Sequence, residues 1–146
     1  MKIKLLILGI VLTLFSGCGK SPKEVMQIGQ EHLLNEKYDF ALESFQIVFE
    51  KYPHDPLADS AGYQIASIYL DYLNDYDNGY KTLNSLVNNY PDSDYGIRSR
   101  EEIRQFPNWL FTTAETKRNA KDINGSIKTL NYLVNKFPSH EIASKA

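Results

Sequence analysis

One thiol, three imidazoles and a scatter of carboxylates are the groups in this chain that could do chemistry. Cys18 is the only cysteine, so no intrachain disulfide is open to it. It stands just after an apolar run (Leu5 to Phe15) that opens with the basic Met1-Lys2-Ile3-Lys4 and closes on Ser16 and Gly17. That run falls short of the ~20 residues that span a bilayer and has the layout of an export leader. His32, His54 and His140 are far apart, and none has a second ligand at helical spacing. Asp75-Tyr76-Asp77-Asn78-Gly79 begins like a calcium loop, but glycine stands one place early and Leu86 takes the place of the bidentate Glu. Glu101 and Glu102 lie among Arg98, Arg100 and Arg104, spaced to pair along a solvated helix face. No glycine-rich phosphate loop, Gly-x-Ser-x-Gly elbow or His-Glu-x-x-His is present. The expectation is a non-enzymatic chain with no cofactor, no metal and no small-molecule substrate. Of its 16 Lys and Arg, Lys2 and Lys4 belong to the leader, so the remainder is more acidic than the whole chain's net charge of −2. Such a balance offers no footprint for nucleic acid.

The elements that must position whatever remains are written twice over. Lys81-Thr82-Leu83-Asn84-Ser85-Leu86-Val87-Asn88-Asn89-Tyr90-Pro91 returns as Lys128-Thr129-Leu130-Asn131-Tyr132-Leu133-Val134-Asn135-Lys136-Phe137-Pro138, and a diverged third copy ends in Tyr52-Pro53. Aligned on Pro53, Pro91 and Pro138, the copies carry apolar residues at i, i+3, i+4 and i+7: Phe45, Val48, Phe49, Tyr52; Leu83, Leu86, Val87, Tyr90; Leu130, Leu133, Val134, Phe137. That is one stripe of an α-helix, stopped by an aromatic-proline pair. A small residue opens each stripe (Ala41, Gly79, Ser126), and a large one before it plugs the turn (Tyr38, Tyr76, Ile123). A weaker helical stripe precedes each turn, with Gly29, Ala66 and Ala114 as its small members. The second copy is one residue longer, and the extra residue is expected in its turn, Leu73 to Asp75.

A unit of helix A, tight turn, helix B and proline stop resembles the tetratricopeptide repeat. The resemblance rests on the small residues of both helices, Tyr38 and Tyr76 in the turns and the closing prolines. It covers roughly residues 24 to 138. It implies an all-α fold, a short right-handed α-solenoid of about three helix pairs, with repeats at about 24–53, 57–91 and 108–138 in a domain spanning 24–146. Residues 94–106 read either as an extra short helix or as a helix A lengthened and kinked at Pro107. Tyr52-Pro53-His54-Asp55-Pro56 and Tyr90-Pro91-Asp92-Ser93 are similar to the subclass of these repeats in outer-membrane assembly lipoproteins. Phe15-Ser16-Gly17-Cys18 resembles the lipobox of bacterial lipoproteins, with Phe15 in place of the usual aliphatic residue. That resemblance implies cleavage of a signal peptide (1–17), acylation of Cys18 and a short lipidated tether (18–23). Gly19, in place of the Asp that retains such proteins at the inner membrane, is permissive for the outer one.

Helix A residues line the concave side of such a solenoid. By resemblance the outward-facing positions are Met26, Gln30 and Leu33, then Tyr63, Ser67 and Leu70, then Phe111, Glu115 and Arg118. Five of these are more apolar than a bare solvated face warrants, which points either to a groove for a peptide or partner helix or to a cover by the tether, by residues 94–106 or by a second copy. The functional expectation is a lipid-anchored adaptor in the bacterial cell envelope, on the outer membrane and facing the periplasm, that binds protein partners. The alternatives are a subunit of outer-membrane β-barrel protein assembly and a structural homo-oligomer.

Overall fold

The computed structural model describes residues 19–146. Within them lie six α-helices: α1 (Pro22–Leu34), α2 (Tyr38–Lys51), α3 (Ala58–Ser67), α4 (Tyr76–Asn89), α5 (Asp94–Asn119) and α6 (Ile123–Lys136). A π-helical turn (Ile68–Tyr72) prolongs α3, and a 3-10 turn (Glu141–Lys145) follows α6. The expected leader and Cys18 lie outside the described residues. The helices pack as the pairs α1/α2, α3/α4 and α5/α6, with α2 against α3 and α4 against α5, so the chain is an all-α stack of three helix pairs.

Side chains with free oxygens start most of these helices. Ser21 and Glu24 form a reciprocal capping box at α1, and Asp75, Ser93 and Asp122 each accept a backbone N–H from the first turn of α4, α5 and α6. The B helices end alike. Tyr52, Tyr90 and Phe137 have φ of −126°, −134° and −129° with ψ of 53°, 55° and 51°, outside the helical region that a following proline disfavours. The inter-helix turns end on a left-handed residue in each repeat: Glu36 (φ 57°), Asn74 (φ 52°) and Lys121 (φ 66°). In the first and third repeats this residue closes a Schellman motif, Lys37 N donating to His32 O and Asp122 N to Lys117 O, both at 2.9 Å.

The second repeat corrects one expectation. Its extra residue does not lengthen the turn; it is taken up by the π-helical turn at Ile68–Tyr72, where Leu73 N donates to Ile68 O at 3.1 Å. One inserted residue widens a single helical turn at little cost, whereas a longer turn would have displaced Asn74 from its closing position. Of the two readings of residues 94–106, the structure takes the lengthened helix A: they are not a separate helix but the first half of α5, which runs unbroken through Pro107. Proline removes the N–H that the Ile103 carbonyl would accept, at a cost of about 3 kcal/mol. Phe106 and Pro107 are buried, and α5 packs on α4 along one flank and α6 along the other, which offsets the lost bond.

The small positions let helices close on one another. A Cβ at Gly79 would lie 2.3 Å from Leu70 Cδ2, so Leu70 of the π turn sits directly on the α4 backbone. Ala41, Ala66, Ala114 and Ser126 are all buried. Two clusters make the core: one around Phe45, Val48, Ile65 and Ile68, the other around Leu83, Phe106, Leu110 and Leu133. Tyr38 and Tyr76 do plug turns, and they do so against the following repeat. Tyr38 stacks on Tyr72 at 4.8 Å, and Tyr76 meets Trp109 of α5 edge-on at 5.9 Å. Ile123, at the equivalent place in the third repeat, is 52% exposed, because no further helix pair follows it among the described residues. Ile127 and Val134 are exposed on the same helix, while their first-repeat counterparts Leu42 and Phe49 pack inward.

Candidate partner groove

Between α3 with its π turn and α5 lies a pocket of about 270 Å³. Leu70, Leu83 and Phe106, all buried, form its apolar floor. Tyr63, Ser67 and Asp71 border it from α3 and its π turn; Arg98, Glu102, Gln105 and Trp109 border it from α5. Periodicity explains both walls. Tyr63, Ser67 and Leu70 are three to four residues apart, and so are Arg98, Glu102, Gln105 and Trp109, which puts each set on one helix face. Trp109 is held by ring contacts to Phe106 (5.3 Å, stacked) and to Tyr76. It is the chain's only tryptophan.

Polar groups gather at one end of this pocket. The Tyr63 hydroxyl donates to Glu102 Oε1, Arg98 Nε donates to the same carboxylate at 3.0 Å, and the Arg98 guanidinium lies 4.6 Å from the centre of the Tyr63 ring. Burial, and then the bond to Glu102, pushes the Tyr63 phenol well above its ordinary value, so it stays a donor throughout the physiological range. Asp71, on the facing wall, has its carboxyl raised by partial burial and by the nearby Glu102 charge. A wider, open hollow of about 980 Å³ lies on the loops around Pro53, His54 and Pro56. Loop residues make up much of its lining, and it has no comparable buried apolar floor.

The nine residues expected to line a groove divide into three groups. Tyr63, Ser67 and Leu70 do border the pocket, with Leu70 as floor rather than exposed wall. Met26 is 5% exposed and belongs to the first core cluster, a correction: the buried stripe of α1 takes in Val25, Met26 and Gly29 and is wider than the four-position reading allowed. Leu33 and Phe111 are partly buried against the two cores, Gln30 is exposed, and Glu115 pairs with Arg118 at 2.7 Å on the surface. A single continuous groove along all three A helices is therefore not formed by these nine. One of the expected covers is present in part, since the first half of α5 brings Tyr95 to 5.0 Å from Tyr63.

Asp71, Glu102, Gln105 and Trp109 were missed from the sequence. Arg98 and Glu102 pair as their spacing predicts, but Glu102 is partly buried rather than solvated. The signal that could have found them is the unbroken helix. Once Pro107 is allowed inside α5, the Arg98-Glu102-Gln105-Trp109 face falls opposite Tyr63.

Helix pairs with small crossing residues, proline-closed B helices and a groove between successive A helices define a tetratricopeptide-repeat protein. The chain matches the family model of the YfiO outer membrane lipoproteins over residues 19–146, and it belongs to that family. Its place is accordingly the outer membrane, held by a lipid anchor, and no described helix is long and apolar enough to cross a membrane. Comparison with curated proteins gave no match.

Proposed function

We propose that this protein is a non-enzymatic adaptor, fixed to the outer membrane through acylated Cys18 and facing the periplasm, whose α3–α5 groove holds a segment of a partner protein. The observation that carries this reading is the pocket itself: an apolar floor of buried side chains, with aromatic and charged groups at its rim, between two A helices. Pockets of this make-up serve recognition, with the floor giving affinity and the few polar groups orientation. Leader, acyl acceptor and tether are assigned as 1–17, Cys18 and 18–23. Membership of an outer membrane lipoprotein family supports a finer version, in which the partners belong to the assembly of outer-membrane β-barrel proteins.

Crosslinking in membranes, with the native chain beside Cys18→Ala, tests this. Recovery of β-barrel proteins or their assembly subunits with the native chain alone supports the assembly role. Recovery of one unrelated envelope complex keeps the adaptor and removes that role. Self-crosslinks alone contradict both and favour a homo-oligomer, a reading to which the exposed Ile123, Ile127 and Val134 of α6 lend support.

A further inference from the structure

The α3–α5 pocket carries a charge arrangement that its own side chains leave incomplete. It has two carboxylates, Glu102 on α5 and Asp71 on the π turn opposite. Glu102 is satisfied, since it accepts from both Tyr63 and Arg98. Asp71 is exposed and takes part in no ion pair or side-chain hydrogen bond among the described residues. Although its outer side meets solvent, the pocket wall partly screens its carboxyl from water, and this screening and the charge of Glu102 both disfavour its ionised form. A cation placed beside it would favour the ionised form and so oppose both.

The site also displays what such a cation looks like when bound. Arg98 lies over the face of the Tyr63 ring while its guanidinium bonds Glu102, combining ring stacking with a charge-assisted hydrogen bond. The Trp109 indole offers a second aromatic surface on the same pocket, close to the apolar floor where an aliphatic stem can lie.

We propose that the α3–α5 pocket recognises an arginine side chain of the partner polypeptide, with Asp71 as its carboxylate anchor and Arg98 as an internal competitor for Glu102. This rests on the groove reading and gives it a ligand chemistry. A planar, always-charged guanidinium suits an aromatic wall and a carboxylate better than a compact ammonium does. It predicts opposite effects for two changes at the rim. Asp71→Asn removes the anchor and weakens binding. Arg98→Ala frees Glu102 and the Tyr63 ring and tightens it, an outcome that partial unfolding would not produce.

The test is a fluorescence titration of Trp109 in the soluble form of the full mature chain (Cys18→Ala). The probes are acetyl-Ala-Ala-Arg-Ala-Ala-amide and its citrulline counterpart, which keeps the shape and lacks the charge. The expected result is at least about tenfold tighter binding of the arginine peptide, in keeping with a charge-assisted bond. That preference should vanish in Asp71→Asn and grow in Arg98→Ala, with circular dichroism unchanged in both. Equal binding of the two peptides overturns the arginine assignment and leaves the groove standing. A preference that survives Asp71→Asn overturns the anchor. Failure of both peptides to move Trp109 in any variant overturns the assignment and removes the groove as a peptide site.

Discussion

Tyr63 and Tyr132 each donate a phenolic hydrogen to a carboxylate of a neighbouring element, Tyr63 to Glu102 and Tyr132 to Asp77 at 3.0 Å. Burial first, and the carboxylate bond second, raise both phenols above their ordinary value of 10.0. In the folded chain they keep their protons above that pH, while in the unfolded chain they ionise near it. Their contribution to stability is therefore whole below about pH 10 and is lost as pH rises further. Denaturant melts across the alkaline range should show that decline, and the Tyr63→Phe, Tyr132→Phe pair should flatten it. Ser99 gives a second prediction at this scale. Its hydroxyl is buried without a partner among the described residues, so Ser99→Ala should stabilise the fold by about 1 kcal/mol in urea melts. Neither feature was legible beforehand. A repeat pattern says that Tyr63 lies on a helix face; it does not say that a carboxylate thirty-nine residues on will meet it.

Among the elements, the B helices were the easiest to read. An aromatic-proline pair fixes the last residue's backbone, and the three closing geometries agree to within a few degrees. The A helices were harder, because two of them break a rule that sequence reading depends on. The π turn hides an insertion inside a helix, and α5 carries a proline through its middle; in both, packing against neighbouring helices outweighs local preference. The turns lacked the usual glycine signal altogether. Glu36 and Lys121 take a left-handed backbone that costs a side-chain-bearing residue about 1–2 kcal/mol. Lys121→Gly should raise stability by up to ~1 kcal/mol, because the relief exceeds the added freedom of the unfolded chain. A lower melting temperature would mean that the Lys121 side chain makes contacts of its own. Gly96 is the opposite case. A Cβ there would sit 1.8 Å from the Tyr90 carbonyl oxygen, so Gly96→Ala must push the Tyr90–Ser93 turn off the start of α5. A loss of ~1–3 kcal/mol in thermal melts is expected, as for overpacking elsewhere.

At the scale of the whole molecule, three helix pairs share two cores, and neither core belongs to a single pair. Phe45 of α2 is fully buried beside Ile65 and Ile68 of the next pair, so Phe45→Ala should cost ~3–5 kcal/mol and lower the melting temperature by roughly 10 °C or more. Loss should be cooperative across the stack, because each pair buries its neighbour's face. The overall architecture was legible because the repeat is periodic in both residue size and helix breaks. The groove was only half legible, since its second wall is the lengthened part of α5. In the proposed function this groove, rather than the outer helix faces, receives the partner. The most direct measurement places a photo-crosslinking amino acid in cells at Gln105, on the groove rim, and separately at Glu43, exposed on α2. The prediction is a discrete crosslink to an envelope protein from position 105, lost in Cys18→Ala, and none from position 43. Crosslinks from position 43 with none from 105 would rule out the groove as the partner site and move the partner to the outer face of the B helices.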